Sequence, residues 1–168
     1  MLKKVGFGGG CHWCTEAVFS ALKGVETVEQ GWIASCGDYS LFSEGVIVTY
    51  NAREISLDVL IEIHLHTHAS SGNHSMRDKY RSAVYTFDDI DLISIQMTIV
   101  DLQNDFEKPI ITKVLPFSDF KLNREDSLNY YFSDPAKPFC ENYINPKLKL
   151  LREQFSKLTR IEKLVHLK

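Results

Sequence analysis

Short runs of alternating apolar and polar residues dominate the first half of the chain, separated by stretches with helical spacing. Leu2 to Gly8 reads as a strand. Cys11 to Leu22 follows as a helix, with Cys14, Val18, Ala21 and Leu22 on one face and Gly24 as its stop. Thr27 to Ile33 and Gly45 to Tyr50 are two further strands, the second closed by the turn Asn51-Ala52-Arg53. Ser56 then N-caps a helix from Leu57 to Leu65, and Arg81 to Phe87 is a fourth strand. Strand, helix, strand, strand, helix, strand is the order of a split βαβ unit. It predicts an α+β fold, a ferredoxin-like two-layer α/β sandwich. Asp88-Asp89 open another helix to Phe106, and Ile111 to Phe117 is a fifth strand. Pro135, Pro138 and Pro146 mark an irregular C-terminal extension, which ends in an amphipathic helix from Lys147 onward.

Composition narrows this picture. At 168 residues, 44% hydrophobic and 24% charged, the chain makes one domain over 1–168 with a core of its own. The 19 basic and 22 acidic side chains nearly balance, with no basic run. Nucleic acid and an anionic membrane surface are therefore excluded as partners. Neither a signal core nor an apolar run long enough to span a bilayer occurs, which predicts a cytoplasmic protein. Four cysteines, Cys11, Cys14, Cys36 and Cys140, are too few and too uneven for a secreted disulfide framework.

The candidate chemistry lies in Gly8-Gly9-Gly10-Cys11-His12-Trp13-Cys14, where the first strand meets the first helix. Glycines let the chain turn tightly, and the residue after them sits at the positive end of a helix dipole. A cysteine there ionises below the usual ~8.5 and becomes nucleophilic. His12 and Trp13 beside it can wall a small pocket for a substrate methyl group. Burial as small hydrophobes is the other reading of Cys11 and Cys14, and it suits Cys14, which lies within the apolar stripe.

Phe7-Gly8-Gly9-Gly10-Cys11-His12-Trp13-Cys14-Thr15-Glu16 resembles the opening signature of the A-type peptide-methionine sulfoxide reductases, G-G-G-C-F-W-C/G followed by x-E. The resemblance continues in Ser43-Glu44-Gly45-Val46, in Lys79-Tyr80-Arg81-Ser82-Ala83-Val84-Tyr85, and in Lys137-Pro138-Phe139-Cys140 and Asn145-Pro146-Lys147-Leu148. It implies a cofactor-free, monomeric enzyme that reduces methionine S-sulfoxide, free or in oxidised proteins. Cys11 would attack the sulfoxide sulfur and become a sulfenic acid. Glu44 would be the acid that protonates the oxygen, and Tyr80 would hydrogen-bond it. Cys140 would resolve the sulfenic acid to a disulfide that thioredoxin reduces, with Cys14 as the alternative resolving thiol.

The sequence also departs from the family. His12 replaces a phenylalanine of the methyl pocket. The loop before Glu44 is shortened, leaving Tyr39 as the candidate for a substrate-binding tyrosine. Ser75 lies nearest the position of a family aspartate, with Asp78 as the candidate substitute.

Two other classes of function fit parts of the chain. Cys11-His12-Trp13-Cys14 has the spacing of a C-x-x-C dithiol–disulfide oxidoreductase. A protein that keeps the fold and binds partners while reducing little fits the altered pocket. His64, His66, His68 and His74 crowd one window and, with Cys11 and Cys14, offer zinc-type ligands, but their spacing yields no clear chelating set, and no metal is expected.

Overall fold

The computed structural model describes residues 1–71, 77 and 79–168. Expectations placed on His74, Ser75 and Asp78 lie outside the described residues. The strands are β1 (Leu2–Gly8), β2 (Val25–Ala34), β3 (Ser43–Asn51), β4 (Ala83–Thr86), β5 (Lys113–Pro116) and β6 (Asp119–Leu122). The helices are α1 (His12–Ser20), α2 (Leu57–Thr67), α3 (Asp89–Leu102), the single turn α4 (Tyr130–Ser133) and α5 (Asn145–Gln154).

The strands form one sheet in the order β5-β4-β1-β3-β2-β6. Its inner four are the split βαβ arrangement. β1 runs antiparallel to β3 over its whole length, Leu2 opposite Asn51 through Gly8 opposite Gly45, and antiparallel to β4 from Gly6 to Gly8. Parallel β5 extends the sheet beyond β4, and antiparallel β6 extends it beyond β2.

Strand periodicity divides the apolar side chains between the two faces. Val5, Phe7, Val46 and Val48 point toward the helices and pack with Phe19, Leu60, Ile61, Leu148 and Leu151. Ile33, Ile47, Tyr85 and Leu115 fill a smaller cluster with Tyr39 and Phe120 on the other face. The helix starts follow local chemistry. Ser56 Oγ accepts the Val59 N–H at 3.3 Å, and Asp88 Oδ1 accepts that of Asp91 at 2.8 Å.

Most boundaries move by a few residues and one strand is new. The fourth strand contracts to Ala83–Thr86, the fifth to Lys113–Pro116, and α3 stops at Leu102 before a 3₁₀ turn. β6 escapes the sequence pattern because none of its four residues is buried. A π-helical turn, Cys140–Ile144, leads into α5, which carries Pro146 in its first turn. No helix among the described residues is long and apolar enough to cross a membrane.

Candidate active site

Two residues outside the glycine run hold it in place. Gly8 O accepts Nε2–H of His64 at 2.9 Å, and Gly9 O accepts from the Arg77 guanidinium at 2.9 Å. Gly9 has φ +153°, and a Cβ there would strike the His68 imidazole, so only glycine fits. Cys11 is the N-cap of α1, its carbonyl accepting from the amides of Cys14 at 3.0 Å and Thr15 at 3.2 Å.

The ionisation of Cys11 depends on Cys14. The Cys14 thiol donates to Cys11, and this bond, joined by the backbone N–H groups of Trp13 and Cys14, brings Cys11 below the usual thiol range against the opposing effects of burial and Glu44. Cys14, as the donor, is driven far upward. Both line a cavity of about 40 Å³ with Gly10, His64, His68 and Lys147. Lys147 donates to the Thr67 carbonyl at the end of α2, and burial draws its ammonium below the ordinary lysine value.

The histidines of the crowded window have other tasks. Burial lowers His64 to about 3 and His68 well below its usual value, so both rings are neutral. They stack at 4.1 Å, and His68 bonds Ser82 Oγ at 2.8 Å. His66 pairs with Asp105 at 3.1 Å. Among the described residues no cluster of three or more His, Cys, Asp or Glu could hold a metal ion.

Glu44 lies on β3 opposite Trp32 of β2 and is 6% exposed. Its Oε1 accepts the backbone N–H of His12 at 3.2 Å, and its Oε2 faces Lys79 Nζ at 3.4 Å. Glu44 thus touches the residue next to Cys11. His12 is not the wall of a methyl pocket that its position beside Trp13 suggested. Its ring is buried, with Nδ1 3.0 Å from Gly31 O, and Nε2 3.4 Å from Asn123 Nδ2 and 3.5 Å from Glu44 Oε1. The polar edge of an imidazole is satisfied here by backbone and amide, which draws the ring inward, edge-on to Trp32.

Trp13 supplies the aromatic wall. It stacks on Tyr130 at 3.9 Å between centroids and meets Phe139 edge-on at 5.6 Å. Glu16, one turn below, fixes this wall from beneath. Its carboxylate accepts from Gln30 Nε2 at 3.0 Å and from the backbone N–H groups of Asn129 at 2.9 Å and Tyr130 at 3.1 Å. Cys140, next to Phe139, is fully buried, its thiol donating to Asp134 O at 3.7 Å, and burial raises it above the usual thiol range. Cys14 is the thiol that acts on the ionisation of Cys11, while the Cys140 thiol donates to Asp134 O.

Tyr80 is half-buried, with Lys79 Nζ 5.1 Å from its ring centre. Tyr39 goes elsewhere. It packs with Ile33, Tyr85 and Phe120 and lines a separate cavity of about 530 Å³ with Arg81 and Lys113. The shortened loop folds into a 3₁₀ turn against that face, so Tyr39 is not brought to Cys11. Lys147, Glu16, Lys79 and Asn123 were missed as contributors. A carboxylate two residues after Cys14, on a helix with an otherwise apolar buried face, was the legible signal for Glu16. Asn123 carries none, because its contacts come from residues about a hundred positions away.

A cysteine at a helix start whose thiol is drawn below its usual range, with a second cysteine in the same small cavity, is arranged for two-electron chemistry at sulfur, and the class is a thiol-dependent oxidoreductase. The profile of the family described as peptide methionine sulfoxide reductase matches residues 3–159. A peptide methionine sulfoxide reductase MsrA of Trichodesmium erythraeum is 33% identical over 171 residues, covering 92% of this chain and 97% of that protein. The crystal structure of reduced Mxr1 from Saccharomyces cerevisiae superposes with TM-score 0.70 at 22% identity, over 83% of this chain and 89% of Mxr1. Mxr1 in complex with Trx2 superposes with TM-score 0.59 at 20% identity, over 75% and 83%. The chain belongs to the peptide methionine sulfoxide reductase family.

Proposed function

We propose that this chain reduces methionine S-sulfoxide, free or in proteins, with Cys11 as nucleophile. The place of Cys11 at the start of α1, after the glycine turn, carries the reading, because the Cys14 side chain and the Trp13 and Cys14 amides draw its thiol below the usual range there. The thiolate attacks the sulfoxide sulfur while Glu44 delivers a proton to its oxygen. Methionine departs and Cys11 is left as a sulfenic acid. Trp13, backed by Tyr130, receives the methyl-sulfur end of the substrate, and the Tyr80 hydroxyl bonds the oxygen.

Cys14 then forms the S–S bond, and the S–O bond breaks as the Cys14 proton leaves with the hydroxyl as water. Cys14 lines the same small cavity as Cys11 and acts on its ionisation. Cys140, close enough to Cys14 to influence its ionisation, takes over the disulfide by exchange and offers it to a thioredoxin-class reductant. Mxr1 in its complex with Trx2 supports that choice of partner. Four thiols, all unlinked, suit repair of oxidised proteins in a reducing cytoplasm.

The test is a thioredoxin-coupled assay following NADPH consumption with methionine S-sulfoxide. Turnover is expected for the unmutated chain and none for Cys11→Ser; a chain that turns over nothing refutes the proposal. Mass spectrometry after one equivalent of sulfoxide identifies the first disulfide. A Cys11–Cys140 link formed without any Cys11–Cys14 link overturns the order of resolution.

A further inference from the structure

The cavity of about 530 Å³ beside Tyr39 has no part in the chemistry at Cys11, and its walls carry an excess of positive charge. Arg77, Arg81 and Lys113 line it, against one acid, Asp38. The Arg81 guanidinium donates to Tyr85 OH at 3.0 Å, to Leu41 O at 3.0 and 3.2 Å and to Ile33 O at 3.3 Å. These acceptors are all neutral, so they fix the group in place and leave its charge standing. Lys113 Nζ lies 5.4 Å and the Arg81 guanidinium carbon 5.7 Å from the centre of the Tyr39 ring, which gathers the two cations at one wall. Among the described residues, neither Arg81 nor Lys113 has a carboxylate within ion-pair distance. A concave site with this balance of charge draws in an anion.

The cavity also adjoins the active site. Arg77, on its wall, donates to Gly9 O, two residues before Cys11, and to Tyr80 O, each at 2.9 Å. Arg81 follows Tyr80 directly, and its backbone N–H donates at 2.8 Å to Oγ of Ser43, the neighbour of Glu44. At about 3.3–3.6 Å per residue, two or three residues of extended chain span the step from Cys11 to the cavity. We propose that the cavity is a subsite for a carboxylate carried close to the methionine sulfoxide. That carboxylate is the side chain of an acidic residue adjoining it in an oxidised protein, or the α-carboxylate of the free amino acid. The proposal rests on the reading of Cys11 as the nucleophile and adds a preference among its substrates. Lys113 and Arg81 receive the carboxylate, while Asp38, exposed at the rim, opposes it and is outweighed by the three cations. The 3₁₀ turn Gly37–Tyr39 of the shortened loop thus withdraws Tyr39 from Cys11 and sets it in the wall of a second pocket.

The experiment compares kcat/KM in the thioredoxin-coupled assay for acetylated and amidated peptides in which glutamate, glutamine or lysine adjoins methionine S-sulfoxide on either side. Free methionine S-sulfoxide is compared with its amide in the same way. Both series are run at low and high salt, on the unmutated chain and on Lys113→Glu, which replaces an exposed side chain and leaves the anchors of Arg81 in place. At low salt the substrate with the carboxylate should lead its neutral counterpart by about two- to fivefold, the scale of an ion pair open to water. High salt should bring the two together, and Lys113→Glu should turn the order toward the lysine peptide. A lead seen only in peptides assigns the acidic side chain as the source of the group, and one seen only in the free amino acid assigns its α-carboxylate. Equal kcat/KM across each series overturns the subsite and leaves the reductase reading intact. So does a lead indifferent to salt, a result that holds even if Lys113→Glu does not fold, or one that a folded Lys113→Glu leaves unmoved. No turnover of any substrate refutes the reading of Cys11, and this proposal with it.

Discussion

Glu16→Gln tests whether the aromatic wall is held by a single buried carboxylate. Glu16 is 5% exposed, and its two oxygens take three hydrogen bonds, from Gln30 Nε2 and from the amides of Asn129 and Tyr130. Those amides begin α4, and Asn129 is held at φ +51°, a left-handed conformation that needs such an anchor. Glutamine offers one oxygen in place of two, and its amide group turns a donor toward a donor. At least one buried N–H loses its partner, and the surviving bonds lose the charge of their acceptor. Together these cost about 2–4 kcal/mol. For a chain of this size each kcal/mol lowers the melting temperature by about 2–4 °C, so a fall of about 5–12 °C follows. Urea unfolding followed by tryptophan fluorescence measures the loss directly, with an unchanged m-value if the native fold persists. The substrate KM should rise as well, since Tyr130 backs Trp13. A loss below about 0.5 kcal/mol would refute the reasoning, because that is the range of a surface substitution.

Cys14→Ala removes the principal donor to the Cys11 thiolate. The pH midpoint of Cys11 alkylation by iodoacetamide should rise, and a dimedone-trappable sulfenic acid should persist after one equivalent of sulfoxide. His64 is lowered to about 3 by burial, from an unfolded value of about 6.5. The unfolded chain thus binds the extra proton between those values, and stability falls by about 1.4 kcal/mol per pH unit as pH drops below about 6.5. Melting temperatures between pH 7 and 4 should show this slope, and His64→Gln, which can still donate to Gly8 O, should flatten it.

The sequence carried the central scaffold because β1, β3 and the two core helices have strong periodicity and conventional caps, as at Ser56. It carried the cysteine at the head of α1 because glycines before a cysteine have few other uses. It did not carry β6, which owes its place to Gly31: a Cβ there would collide with the Lys121 carbonyl, and no local pattern in Asp119 to Leu122 announces a partner strand. Nor did it carry the role of His12, whose direction is set by Gly31, Glu44 and Asn123, drawn from three separate segments. A place on an apolar helical stripe reads as burial, and Cys14 is buried, yet it also acts on the ionisation of Cys11.

The sheet order gives the two halves of the site unequal mobility. Cys11 leaves the end of β1, which is laddered on both sides and opens to hydrogen exchange only when most of the domain opens. Asn123 follows β6, a four-residue edge strand with no buried side chain, which can detach at far smaller cost. The cysteine at the helix start is thus joined to the part of the sheet expected to exchange most slowly, and the amide that holds the His12 ring to a part expected to exchange fast.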